Sequence, residues 1–241
     1  MPLPGVCYLC GLLLSKPVNV DHVPAQQLFP PALRKELGPL QLLTIPVHQA
    51  CNSAYKADED YFVHALMPFA RGTVAGNAIY NHVLGAYRKG HNSGLVRKVL
   101  SEFQPRPSGL VLPGNKVVKR FDGKRIQRVA WKIVRGLVFN HFGDVYAEAQ
   151  ATWVTVTPVG EPLPEHFEAF MQTQGDAHGR YPGAFSYRFD AYEVDDAGTP
   201  RKMHYWAMLL WDRVLLTVIF HDRLCACTSC WTSPTEGTAV G

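Results

Sequence analysis

Two short stretches, CYLCG at residues 7–11 and HQACN at residues 48–52, decide how the first part of this chain folds. Each contains a pair of soft metal ligands with two residues between them, and a tight turn at that spacing can aim both side chains at one ion. Two such pairs complete a tetrahedral zinc site. The sequence therefore predicts a structural Zn²⁺ ion held by Cys7, Cys10, His48 and Cys51.

The composition is typical of a globular protein. The chain has 241 residues, of which 47% are apolar, enough for one large domain or two modest ones. No basic and apolar leader opens it, and its longest apolar runs are too short to span a bilayer, so we expect a cytoplasmic protein without a membrane partner. Close cysteine pairs in that reducing compartment bind metal more often than each other. The formal net charge of +4 permits nucleic acid as a partner without demanding it.

The N-terminal segment is predicted to contain two strands and a helix. Residues 18–23 and residues 40–45 are rich in β-branched or apolar side chains and each run stops at a proline, so both are short strand candidates. Apolar side chains recur at mostly helical spacing over residues 52–69, which predicts a helix there. One or two helical turns are expected at residues 32–37.

The rest of the chain is predicted to be helical first and then rich in strands. Further helices are expected at residues 77–87, 95–103, 124–142 and 164–172. Strands are expected at residues 153–157, 185–194, 203–211 and 214–221, with a tight turn at residues 212–213. A run rich in proline at residues 104–109 is the predicted linker, and an extended segment is expected at residues 111–120.

The stretch DHVP at residues 21–24 adds a second kind of motif to the zinc pattern. Together with the Cys51-Asn52 junction, these motifs resemble the HNH endonuclease superfamily in its zinc-clasped ββα-metal form, over roughly the first quarter of the chain. The resemblance implies that His22 is the general base and that Asp21 is a ligand of a catalytic Mg²⁺ or Mn²⁺ ion. It also implies that Asn52 braces the loop that carries the base.

The third motif position of the family, a further metal ligand on the helix, falls on Asp60 or Tyr61. A phenol is a poor ligand for a hard cation, so the resemblance implies Asp60 as the second ligand of the catalytic ion. His48 stands where many zinc-clasped relatives carry a cysteine, and histidine is an ordinary replacement at zinc. If His48 faced the catalytic ion instead, the three cysteines would form an incomplete zinc site.

Elementary chemistry supports these roles. Phosphodiester cleavage needs a nucleophile made from water, neutralisation of the phosphate charge and help for the departing oxygen. A neutral imidazole can take the proton near pH 7, and magnesium held by oxygen ligands meets the other two needs. Side chains alternate along a regular strand, so Asp21 and His22 would face opposite ways. We therefore expect a bend or a bulge at His22, close to Pro24.

The predicted fold class is α+β with three parts. We expect an N-terminal ββα-metal nuclease unit clasped by zinc at residues 1–70, a helical connecting segment at residues 71–104, and a C-terminal α+β domain with an antiparallel sheet at residues 105–241. The zinc pattern and its helix determine the first boundary, and the linker determines the second.

A basic stripe, defined as Arg125, Arg128, Lys132 and Arg135, recurs at helical spacing within the predicted helix at residues 124–142. The stripe can contact the phosphates of nucleic acid, or it can be the solvated side of an amphipathic helix. The acidic run at residues 58–60 is likewise typical of a solvated helix face. From the sequence, both interpretations of the stripe stay open.

Three cysteines near the end of the chain, Cys225, Cys227 and Cys230, follow His221 closely. They can form a second metal site or remain free thiols. Their spacing is unfamiliar for a zinc site, which favours free thiols.

Two classes of function follow from these motifs. The first is a metal-dependent endonuclease that acts on nucleic acid, DNA in particular, with a structural Zn²⁺ and a catalytic Mg²⁺ or Mn²⁺. The second is a zinc-clasped module that binds nucleic acid or protein without catalysis. The combination of Asp21, His22 and Asn52 favours the endonuclease, because a binding module has no need of that set.

Overall fold

The computed structural model describes residues 5–37, 41–104, 117–163, 165–172, 175–181, 183–196 and 199–222. Within them the protein is a mixed α+β structure with a five-stranded antiparallel sheet, in agreement with the predicted fold class. The predicted linker after residue 104, most of the predicted extended segment and the three C-terminal cysteines lie outside the described residues.

The first described segment contains a tight turn that presents two cysteines. The backbone N–H groups of Cys10 and Gly11 donate to the carbonyl of Cys7, at 3.3 and 2.8 Å. Gly11 has a φ of 76°, a left-handed conformation that glycine adopts without steric cost. The turn brings Cys7 and Cys10 close together, as their two-residue spacing predicts.

Two antiparallel strands follow, β1 (Val18–Val23) and β2 (Leu43–His48), with helix α1 (Pro31–Leu37) in the connection between them. Their register is continuous over all six residue pairs. β2 begins and ends later than the strand predicted at residues 40–45, and it passes through Pro46. A proline is tolerated there because β1 and β2 form a two-stranded sheet, in which each strand has a free edge.

Four helices follow β2. Helices α2 (Gln49–Ser53) and α3 (Lys56–Leu66) occur where the sequence predicts one helix over residues 52–69. Helices α4 (Val74–Arg88) and α5 (Ser93–Ser101) confirm the two helices predicted next along the chain. The helical middle part of the prediction is therefore present.

Helix α6 (Gly123–Phe142) is the longest helix of the described residues, and it follows a short antiparallel pair, β3 (Phe103–Gln104) and β4 (Val118–Lys119). Twelve of its twenty residues are buried. It contacts α3 and β1 in the N-terminal segment and also the C-terminal sheet. It lies close to β1, since a Cβ atom added at Gly136 would lie 2.6 Å from Cγ2 of Val23.

The C-terminal sheet has the strand order β5-β9-β8-β7-β6, and all neighbouring strands are antiparallel. The strands are β5 (Thr152–Pro158), β6 (His178–Tyr181), β7 (Phe185–Asp196), β8 (Thr199–Leu210) and β9 (Val214–His221). The sequence predicts all of them except β6, whose four residues HGRY include a glycine and show no apolar alternation.

Helices cover both faces of this sheet. On one face, Phe167 and Phe170 of α7 (Glu165–Gln172) pack against Ala207. On the other face, the ring of Trp131 in α6 meets the ring of Phe220 edge-on, with 4.8 Å between the ring centroids. The sheet is therefore an inner layer between α7 and α6.

One connected hydrophobic core extends from Cys7 to Phe220 and includes residues of all three predicted parts of the chain. The division at residues 70 and 104 therefore stays a prediction about chain segments, because the buried side chains do not separate there. No helix in the described ranges is long and apolar enough to cross a membrane.

The close approach of α6 to β1 makes a testable prediction about Gly136. Alanine normally stabilises a helix relative to glycine, but its methyl group at this position would lie 2.6 Å from Val23. We expect Gly136→Ala to lower the free energy of unfolding by about 1–3 kcal/mol. At Gly85 in α4, an added Cβ meets nothing within 4 Å. We expect the matched Gly85→Ala variant to raise the free energy of unfolding by about 0.5–1 kcal/mol.

Urea denaturation followed by circular dichroism measures both changes. Equal stabilisation by the two substitutions would contradict the contact between α6 and β1.

Candidate metal centre and the lysine cluster beside it

The four predicted zinc ligands lie together. Their ligand atoms, three sulfurs and one imidazole nitrogen, are all within 4.8 Å of one another. Cys7 and Cys10 come from the N-terminal turn, His48 from the end of β2, and Cys51 from α2. The structure confirms that this cluster can hold a metal ion such as zinc, since it supplies four soft ligands in the number that zinc prefers.

The imidazole of His48 is oriented for metal binding through one nitrogen. Its Nδ1 lies 3.3 Å from Sγ of Cys10 and 3.9 Å from Sγ of Cys51. Its Nε2 lies 3.1 Å from the carbonyl oxygen of Leu13, and it accepts a hydrogen bond from the backbone N–H of Ser15 at 3.1 Å. Partners at the second ring nitrogen hold the ring of a metal-binding histidine in its orientation.

Electrostatics at the cluster also favour a bound cation. Burial and the adjacent thiols of Cys10 and Cys7 raise the pKa of Cys51 to about 12. Several thiolates so close together repel one another, and a divalent cation at their centre removes that repulsion. Zinc binding would therefore release the thiol protons.

Asp21 lies on β1 beside the metal cluster, and its carboxylate is occupied by other groups of the protein. The residue is buried, with 4% of its surface exposed. Its Oδ1 accepts a hydrogen bond from Nζ of Lys132 at 2.8 Å, and its Oδ2 accepts a short hydrogen bond from the hydroxyl of Tyr8. Lys132 belongs to α6, so this ion pair connects β1 to the central helix.

The ammonium group of Lys132 has two further oxygen partners. It donates to Oε1 of Glu59 at 2.5 Å and to Oδ1 of Asn52 at 3.3 Å. Asp21, Asn52, Glu59 and Lys132 are hereafter called the lysine cluster. Oxygen atoms from β1, α2 and α3 thus converge on one cation.

Charge balance within the lysine cluster depends on this ammonium group. Burial raises the pKa of Glu59, and Lys132 opposes that rise. Asp21 adds a second negative charge within the same buried space. Without Lys132, two carboxylates would remain in the interior with no opposite charge.

The structure brings Glu59, and not Asp60, into the lysine cluster. Adjacent residues of an α-helix point about 100° apart. The charged neighbours of Asp60 are Lys56 and Arg125, while burial raises the pKa of its carboxyl group. Sequence analysis missed Glu59, although its seven-residue distance from Asn52 corresponds to two helical turns.

Tyr61, the alternative at the third motif position, lies inside the protein. Its hydroxyl donates to Oε1 of Glu102 at 2.7 Å and accepts from the backbone N–H of Asp122 at 2.7 Å. This side chain therefore joins α3 to the segment before α6 and faces away from the lysine cluster.

His22 is half-buried and lies opposite Thr44 in the regular register of β1 and β2. The bend or bulge that we predicted at His22 is absent, because the pairing of β1 continues without a shift to Val23. His22 and Asp21 consequently point to opposite faces of the strand. The lysine cluster lies on the face of Asp21.

Asn52 connects α2 to the strand that carries His22. Its Nδ2 donates to the carbonyl of Val20 at 3.4 Å, while its Oδ1 faces Lys132. The hydrogen bond from Asn52 thus attaches α2 to β1 two residues before His22.

The basic stripe on α6 faces other parts of the protein. Arg125 and Arg128 both pair with Asp58, through nitrogen–oxygen distances of 2.6 and 2.5 Å. Burial alone would raise the pKa of Asp58, but its hydrogen bonds from the two arginines outweigh burial and lower it. Lys132 and Arg135 are only 2% and 1% exposed. Neither side chain is solvated in this structure, because α6 is covered on its basic side as well. Contact of the basic stripe with phosphates stays a prediction.

Arg135 supports the metal cluster directly. Its guanidinium donates to the backbone carbonyls of Tyr8 and Leu9, at 3.1 and 2.6 Å, and to the hydroxyl of Tyr55 at 3.2 Å. Tyr8 and Leu9 are the two residues between the first pair of cysteines. The sequence alone does not indicate this contact, since it joins residues more than a hundred positions apart.

Comparison of the chain with known proteins yields no match to a family model, to a curated protein or to a solved structure.

The geometry of the metal cluster predicts about one zinc ion per chain. Cys51→Ser removes one of four ligands, so we expect it to lose most of the bound metal and to unfold at a lower temperature. Cys227→Ser, which lies outside the described residues, is the matched control and should keep its zinc. Elemental analysis of protein purified without chelators measures the metal content. Folded wild-type protein without zinc would contradict the assignment.

The lysine cluster predicts a large effect of Lys132→Met on stability. The substitution leaves two buried carboxylates without their cation, and breaking a buried ion pair in this way costs about 3–5 kcal/mol. Lys124→Met, at an exposed position of the same helix, should change the free energy of unfolding by less than about 0.5 kcal/mol. Chemical denaturation measures the difference between the two variants. Similar values would show that Lys132 is not essential to the packing of α6.

Proposed function

We propose that the protein is a metal-dependent endonuclease of the HNH type that hydrolyses phosphodiester bonds in nucleic acid, DNA in particular. The observation that carries this proposal is the convergence of oxygen atoms from Asp21, Asn52 and Glu59 on one cation position beside the zinc cluster. Two of these three residues belong to the motifs that resemble the HNH superfamily.

The order of elements supports the same proposal. Two antiparallel strands, β1 and β2, are followed directly by α2 and α3, and the four soft ligands lie at the base of this unit. In our proposal this is the ββα-metal unit, and zinc holds it together. The zinc ion is structural, because four protein ligands leave no open position for a substrate.

The catalytic Mg²⁺ or Mn²⁺ ion of this proposal would take the position of the Lys132 ammonium group. Carboxylate and amide oxygens are the ligands that such hard cations prefer. Asp21 is then one ligand, and Glu59 replaces Asp60 as the second carboxylate. When bound, the ion would neutralise charge on the phosphate and on the departing oxygen. Lys132 must leave its present position before that can happen.

His22 is the proposed general base. It would take a proton from water while the water oxygen attacks phosphorus and the bond from phosphorus to the departing oxygen breaks. Within the described residues, β1 pairs with β2 on one edge only. A phosphate at the other edge could be contacted by His22 from one face of the strand and by the ion at Asp21 from the other face. Asn52 would hold this part of β1 through its bond to Val20.

The second candidate function is a zinc-clasped binding module without catalysis. One observation favours it, the ion pair of Asp21 with Lys132, in which both side chains are almost completely buried. Both carboxylate oxygens of Asp21 already have a partner, so the residue needs no metal ion to be stable in the interior. In this alternative, His22 has no chemical role.

A plasmid cleavage assay with Mg²⁺ or Mn²⁺ tests the two candidates. We expect His22→Ala to lower the cleavage rate by about a hundred- to ten-thousand-fold, since it removes the base but leaves every zinc ligand in place. His91→Ala, at an exposed position between α4 and α5, is the matched control and should cleave at the wild-type rate. Zinc content and circular dichroism would show that both variants are folded.

Cleavage by His22→Ala at the wild-type rate would overturn the assignment of the base. If the wild type cuts neither DNA nor RNA with any divalent metal, the binding module takes the place of the endonuclease.

A further inference from the structure

A cleft of about 470 Å³ opens where β1 ends, between the N-terminal strands, the last turns of α6, and strands β6 and β7. Val23 and Pro24, which directly follow His22, line it. Leu137 and Asn140 of α6 line it as well. Its volume falls in the range of about 300–1,000 Å³ that is usual for small-molecule sites.

A stack of aromatic rings ends at this cleft. The imidazole of His178, which lines the cleft, lies opposite Tyr187 in the sheet and stacks on its ring, with 5.4 Å between centroids and 29° between planes. It also stacks on Phe189, at 5.3 Å and 22°. His178 is half-buried, whereas Trp206 further along the stack is fully buried. The stack thus runs from the core to the surface of the cleft.

A contact with α6 holds this stack in place. The hydroxyl of Tyr187 lies 2.9 Å from Nε2 of His141 at the end of α6. Burial and the neighbouring His178 lower the pKa of His141, which favours the neutral form of its ring. Because Tyr187 is anchored in this way, the ring of His178 packs against a rigid support.

The described residues that line the cleft include no aspartate, glutamate, lysine or arginine. Their polar groups are uncharged amides, hydroxyls and one imidazole. Asn140 is exposed on the last turn of α6, and its side-chain amide can both donate and accept hydrogen bonds. Such a lining suits a flat, uncharged group with donors and acceptors at its edge. It does not suit a phosphate.

We propose that the cleft binds an unpaired nucleobase next to the scissile phosphate, with the base stacked on His178 and hydrogen-bonded by Asn140. This proposal rests on the proposed nuclease function, because it assigns a substrate subsite to the His22 strand. A nucleobase has an aromatic face and a polar edge, and it is attached through its sugar to a phosphate. Val23, the residue that directly follows His22, lines the cleft.

The substrate class follows from this geometry. A base inside a duplex has both faces covered by its neighbours and its edge engaged in pairing. Only a single-stranded or flipped-out base can stack on a protein side chain. The protein therefore prefers nucleic acid that is unpaired at the cutting site.

Binding of a fluorescently labelled single-stranded oligothymidine, compared with the same strand in a duplex, tests the proposal by fluorescence anisotropy. We expect the single strand to bind more tightly. His178→Ala removes the stacking surface and should weaken single-strand binding by about 5- to 150-fold. Asn140→Trp fills the cleft from an exposed position and should weaken it at least tenfold. The matched controls, His91→Ala and Asn81→Trp, are exposed elsewhere and should bind as the wild type does.

Wild-type affinity for the single strand in both His178→Ala and Asn140→Trp would overturn the proposal. So would displacement of the oligonucleotide by an equal concentration of thymidine monophosphate, which would assign the cleft to a free nucleotide. If both variants lose single-strand binding and the wild type cleaves no nucleic acid, the nucleobase site is supported and the endonuclease function is rejected. If cleavage depends on His22 but not on His178 or Asn140, the endonuclease function is supported and the nucleobase site is rejected.

Discussion

The buried ammonium group of Lys132 connects the elements on which the N-terminal arrangement depends. Its three oxygen partners come from β1, α2 and α3, and its own backbone belongs to α6. Burying a charge is costly unless opposite charges and hydrogen bonds compensate it, and here two carboxylates and one amide do so. Loss of Lys132 would leave two carboxylates inside the protein without an opposite charge. The four elements are therefore fixed relative to one another by a single cation.

Arg135 and the metal cluster support the same N-terminal segment. Arg135 lies nearly one helical turn beyond Lys132 on α6 and donates to the carbonyls of Tyr8 and Leu9 inside the first cysteine pair. The metal cluster fixes β2 and α2 to that pair. A metal ion bound there would add a second positive charge to those that α6 supplies to this segment.

Local patterns in the sequence predicted the elements that depend on neighbouring residues. The spacing of one Cys–Cys pair and one His–Cys pair predicted the metal cluster, and the period of apolar residues predicted α6 and most strands of the sheet. Contacts between distant segments could not be predicted in this way. The period of the basic stripe shows that Lys132 and Arg135 share one face of α6, but it does not show that α2 and α3 cover that face. Glu59 was missed for the same reason, since its role depends on a helix more than sixty residues away.

The lysine cluster also determines how a divalent ion could bind at Asp21. Asp21 and Glu59 carry two negative charges and Lys132 one positive charge, so an ion with two positive charges would balance the site better than the ammonium group does. Against this gain stands the cost of moving Lys132 out of a position where it is 2% exposed. The apparent dissociation constant of such an ion equals its intrinsic value divided by the fraction of molecules in which Lys132 has moved. A substrate phosphate that attracts the displaced ammonium group would raise that fraction. Metal and substrate would then bind cooperatively, because each favours the displaced position of Lys132.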